Sequence, residues 1–228
     1  MNRRTQSRLE MGARALEFSL AHPDDSPGYA TAVKELEAQL IRANQLAREQ
    51  EAGTVQVRVA SAQKRVLRRA IRRVQLVHLA RVAERGSKEI PELAQKFDLP
   101  RVPTRYLPFK NVARTMLAEA QLQKELLVRH GLAERVLEGL SRSLDEFDQA
   151  VELGAEGRRI HIGAAANLEV ASDEVVQLVR VIDGLNRFRF AAEADLMAAW
   201  GSASNVIGPP HPADRTIPPF TDEVKPAA

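Results

Sequence analysis

Residues 137–151 read LEGLSRSLDEFDQAV, and their apolar members Leu137, Leu140, Leu144, Phe147 and Val151 recur in steps of three and four. At 3.6 residues per turn this spacing puts all five on one stripe of an α-helix, whereas a strand would divide them between two faces. Such a stripe needs a partner helix along its whole length. Downstream the alternation returns, with Leu168, Val175 and Ile182 at one heptad position and Ala171, Leu178 and Leu185 at another. Upstream, Val33, Leu36, Leu40, Ala43 and Ala47 repeat it. The expected fold is therefore all-α, a bundle of long antiparallel helices with coiled-coil-like seams.

Composition agrees with that expectation. Hydrophobic residues are 44% of the 228 but aromatics only 4%, so the apolar supply suits narrow helix seams better than a thick layered core. A chain of this length buries a sizeable core. The net charge of +3 and pI near 9.4 fall short of the excess expected in a protein that coats nucleic acid. With no cysteine, disulfides, thiolate metal sites and cysteine nucleophiles are excluded together. The N-terminal residues carry charge without a following apolar core, and no window approaches roughly 18 consecutive apolar residues. A cytoplasmic protein with no membrane span is expected.

Start and stop signals divide the chain. Leu9, Ala13, Leu16 and Leu20 predict a first helix over 3–20, broken at His22-Pro23. Ser26-Pro27 predicts the start of a second, since proline at the first helical position forfeits an N–H that has no partner there. Gly53 ends or kinks this helix, yet Val55, Val59 and Val66 resume the pattern, which favours one long bent rod ending at Gly86-Ser87. A short helix over 89–97 precedes a hinge-like, proline-rich connection at 98–108, and His130-Gly131 supplies a later stop. Gly154, Gly157 and Gly163 surround Arg158-Arg159-Ile160-His161-Ile162, a pattern that fits a loop, an extended piece or a weak stretch of continuing helix. A last helix carries Leu196, Met197 and Trp200. One domain is expected over 1–207, with a disordered proline-rich tail over 208–228.

Basic residues crowd the segment 58–85, where Glu84 is the single acid. At 100° per residue Arg65, Arg68, Arg69 and Arg72 share one side, and Val66, Leu67, Ala70, Ile71, Val74 and Val77 share the other. These four arginines are the candidate anion- or partner-binding face. Phosphates would satisfy them, but no aromatic stands among them to stack a base. An acidic run of Asp145, Glu146, Asp148, Glu152 and Glu156 offers an internal partner instead.

Catalytic and cofactor patterns are missing from the sequence. Glu-x-x-His, the di-iron signature of helical bundles, does not occur, and the five histidines form no ligand-spaced pair. Gly-x-Ser-x-Gly and the phosphate-binding glycine motifs are absent too. Acid pairs Asp24-Asp25 and Asp173-Glu174 suit helix starts. In Asn186-Arg187-Phe188-Arg189-Phe190 the two phenylalanines diverge on a helix, which favours packing at a helix end over a base-stacking platform. Neither catalysis, metal, cofactor nor small-molecule ligand is expected. The chain reads as a non-enzymatic helical scaffold or protein-interaction module, with self-association or another protein as partner, and nucleic-acid binding through helix 58–85 as the alternative.

Overall fold

The computed structural model describes residues 1–99 and 105–206. The described residues form helices and connections with no strand. Helix α1 is Arg3–Ala21, α2 is Pro27–Ala70, and a six-residue π-helical turn, Ile71–Leu76, joins α2 to α3, Val77–Gly86. Then come α4 (Leu93–Lys96), α5 (Tyr106–Leu122), α6 (Lys124–Arg129), α7 (Glu134–Arg189) and α8 (Ala194–Ala203). Asn2 caps α1 by accepting the Thr5 N–H at 2.7 Å. Pro27 opens α2 as its ring geometry favours, while Asp24 accepts the Ser26 N–H just ahead of it at 2.7 Å. Gly131, with φ of 104°, provides the left-handed stop after α6.

Two compact units divide the chain. Among the described residues, one combines Met1–Arg48 with 164–206, and the other lies within Glu49–Gly163. In the first, α1 and α8 pack with the early part of α2 and the late part of α7 around Met11, Phe18, Leu36, Val175, Ile182 and Trp200. Phe18 lies 5.3 Å from the Trp200 ring and 6.0 Å from Phe190, centroid to centroid. Phe190 is thus buried at the helix end, while Phe188 is 90% exposed, as their divergence requires. Asp173 and Glu174 do not start a helix. They lie inside α7, where they pair with Arg8 and Arg42.

In the second unit the rest of α2, the π turn and α3 run beside the first part of α7, with α5 packed over both. The Leu137–Phe147 stripe is buried as expected, together with Ile71, Leu76, Leu79, Phe109, Met116 and Leu127. Neither glycine-rich site breaks its helix. Gly53 and Gly157 are contact points: a Cβ on Gly53 would sit 2.7 Å from the Gly157 carbonyl oxygen and 2.7 Å from the His161 nitrogen. Only hydrogen lets the two backbones touch there. Beside this contact the Thr54 hydroxyl donates to the Gln50 carbonyl at 3.0 Å and lies 3.0 Å from His161 Nδ1.

Several sequence expectations shift. Residues 154–163, left open between loop and helix, are helical within α7. Pro108 stands in the first turn of α5, where a missing N–H removes no helical bond; Pro100, Pro103 and the tail over 208–228 lie outside the described residues. The rod is continuous, but its apolar sides were misassigned. Val55 and Val59 are roughly half exposed, Val66 is 66% exposed and Val74 68%, so none of them joins the core. The buried line is Gly53, Ala60, Lys64 and Ile71, then Leu76, Leu79, Ala83 and Gly86. From Ile71 to Leu76 is five residues instead of three or four. The π turn absorbs the extra residue and turns Val74 outward.

Candidate interaction face

The four expected arginines straddle the edge between core and solvent. Arg65 and Arg69 are exposed, and no carboxylate among the described residues pairs with either. Arg72 is partly buried. Arg68 is partly buried as well and turns toward α5, its guanidinium 5.6 Å from the centroid of Tyr106 and 5.1 Å from that of Phe109. Cation–π contact of this kind contributes about 0.5–1 kcal/mol at partly exposed sites. Arg68 therefore belongs to the packing of the second unit, and the exposed members of the four are Arg65 and Arg69, with the exposed Arg58 two turns earlier.

Lys64 lies deeper. It is buried, with Nζ 5.3 Å from the Tyr106 ring centroid. Desolvation first, and the charge of Arg158 second, push its pKa below the usual lysine range. The stem packs against the Gly154 site, where a Cβ would approach Nζ to 3.4 Å.

The acidic run does not answer these arginines with its aspartates. Asp148 sits between Lys110, whose Nζ is 2.8 Å from Oδ1, and Arg114, whose Nη2 donates to Oδ2 at 2.6 Å. Arg114 also reaches Asp145 at 3.1 Å. Burial works against the Asp148 charge, but the hydrogen bonds and charges of Lys110 and Arg114 outweigh it and hold its carboxyl below the ordinary aspartate range. Glu156 pairs with Arg159, three residues along its own helix. Opposite charge joins α5 to α7 at Asp145 and Asp148, a pairing that sequence reasoning did not name. Lys110 and Arg114 are one turn apart on a helix that the sequence reveals; which helix faces the acids is a matter of tertiary placement.

What the sequence reading missed is apolar. Val55, Val59, Ala62 and Val66 are spaced four, three and four residues apart on the outer side of α2, all exposed. Arg58, Arg65 and Arg69 line one flank of this stripe. A groove of about 670 Å³ runs on its other side, between Ala62, Val66 and Leu67 of α2 and Gln149, Ala150 and Leu153 of α7. The signal was present as heptad spacing, but it had been assigned to the core. Among the described residues no helix is long and apolar enough to cross a membrane. No family model, no curated protein and no solved structure matches this chain.

Proposed function

We propose that the protein is a non-enzymatic helical scaffold or interaction module that engages other protein helices through the outer face of α2 in its second unit. The observation that carries this reading is the exposed stripe of Val55, Val59, Ala62 and Val66 beside Arg58, Arg65 and Arg69. An apolar seam at heptad spacing is complementary to another helix, while a nucleic-acid backbone would use only the charges and leave the valines in water. Titrating labelled duplex and single-stranded oligonucleotides at several salt concentrations tests the reading. The expected result is no binding tighter than about the micromolar, non-specific range at physiological salt. A nanomolar, salt-sensitive complex lost on reversing Arg58, Arg65 and Arg69 to Glu would replace the interaction-module reading with nucleic-acid binding.

A further inference from the structure

The basic-flanked stripe of the second unit has a counterpart on the first. Between α1 and α2 of that unit lies an open groove of about 630 Å³, with Leu9, Leu16 and Leu20 on one wall and Leu40 and Ile41 on the other. Leu20 is 60% exposed and Ile41 63%, so nothing within the described residues covers it. Its rims are acidic: Glu10 and Glu17, seven residues apart, stand on the α1 side and Glu37 on the α2 side. All three are exposed, and no Lys or Arg among the described residues pairs with any of them. Glu10 accepts one hydrogen bond, from Gln6 Nε2 at 2.9 Å.

An apolar groove with acidic rims and an apolar ridge with a basic flank are complementary in shape and charge. We propose that the groove takes the α2 ridge of a second copy of this chain, with Val55, Val59, Ala62 and Val66 of that copy on the leucine floor and its arginine flank, Arg58, Arg65 and Arg69, along the α1 rim of Glu10 and Glu17. The proposal rests on the interaction-module reading and names its partner. The arginine flank is what selects this arrangement over antiparallel ridge-to-ridge pairing, which would bring like charges together along the seam. Because the two surfaces differ, the contact is heterologous, and each copy has one of each to offer.

Light scattering or sedimentation of the full chain over a concentration series tests it. Wild type is expected to rise from the one-chain mass of 25.2 kDa toward twice that value or beyond, less so at high salt. The triple variants Arg58→Glu/Arg65→Glu/Arg69→Glu and Glu10→Lys/Glu17→Lys/Glu37→Lys are each expected to stay at one-chain mass, with unchanged helical circular dichroism since all six residues are exposed. Mixing the two variants restores both contacts with reversed sign in one of them, so the larger mass returns. A wild type that remains at one-chain mass at the highest concentration overturns the proposal, as does association that survives either triple change or a mixture that fails to reassemble. If a triple variant does not fold, Val66→Ser and Ile41→Ser probe the same two surfaces without altering charge, and both are expected to weaken association. A one-chain mass without oligonucleotide binding removes only self-association, whereas tight oligonucleotide binding removes the interaction-module reading itself.

Discussion

Two stretches of one helical rod, Ala52–Val66 and Ile71–Gly86, are built from similar residues and meet opposite fates. Both carry β-branched side chains at three- and four-residue spacing, and the later one adds Leu76 and Leu79. In the later stretch Leu76, Leu79 and Val82 are almost fully buried, with Leu93, Phe109, Leu126 and Leu127 in the same core. In the earlier one Val55, Val59 and Val66 face outward while Gly53, Ala60 and Lys64 face α7. Apolar periodicity shows that a face is suited to contact, and the number of neighbouring helices decides whether the contact is inside the molecule. Where neighbours are few, the inward positions Gly53 and Ala60 are small so that backbones can approach, and the larger apolar residues are left outside.

The contrast breaks most visibly under an introduced charge. Leu144→Asp, on the fully buried stripe, is expected to cost about 4 kcal/mol, because it leaves a charge unpaired in a core. Val66→Asp is expected to change stability by less than about 0.5 kcal/mol, the usual range for exposed sites. Thermal or denaturant unfolding measures both, and comparable losses would mean that the outer stripe is also core. Next in size is the register step. Deleting Arg73 from the π turn lets Ile71 and Leu76 follow regular helical spacing, so a loss within about 1 kcal/mol is expected. Deleting Ser61 from regular helix rotates every buried position on one side of the cut by about 100°, and several kcal/mol are expected to go. Equal losses from the two deletions would remove the π turn as the source of the shift.

The smallest effect concerns charge. Asp148→Asn removes the ion contacts of Lys110 and Arg114 and is expected to cost about 1 kcal/mol near neutral pH. Because the carboxyl is held below its usual range in the folded chain, its contribution is complete above the unfolded pKa near 3.8 and lost as pH falls through the lower folded value. Wild type and variant should therefore converge on acidification below about pH 4. A gap that stays constant with pH would assign the loss to packing.

Much of the fold was legible for a physical reason. Leu140, Leu144 and Phe147, or Leu168, Val175 and Ile182, mark a buried face because their heptad repeats are long and unbroken. Leu185, at the end of the second repeat, is 36% exposed while Asn186 and Phe190 beyond it are buried, because a 3.6-residue turn drifts off a strict seven-residue repeat. Val74 was misplaced because a one-residue insertion leaves no compositional trace; Ile71, Val74 and Val77 satisfy ordinary helical spacing, whereas Ile71, Leu76 and Leu79 share a face only through the π turn. Gly154 and Gly157 were ambiguous because a glycine reads alike as a breaker and as a point of contact until the facing chain is known. The interaction face was half legible: Arg65 and Arg69 from charge alone, the valines only once burial showed which side of α2 they occupy.

The meeting of Gly53 with Gly157 has a consequence for alignment. Heptad seams of alanine, leucine and valine are tolerant of sliding, since a shift of seven residues sets apolar against apolar again. Backbones that touch admit no such slip. A seven-residue displacement of α2 along α7 within the second unit would bring Ala60 or Leu46 to the place of Gly53, and a side chain would then meet the His161 nitrogen at less than van der Waals distance. The glycine pair thus acts as a detent, giving two long and otherwise repetitive helices a single position in which to lock.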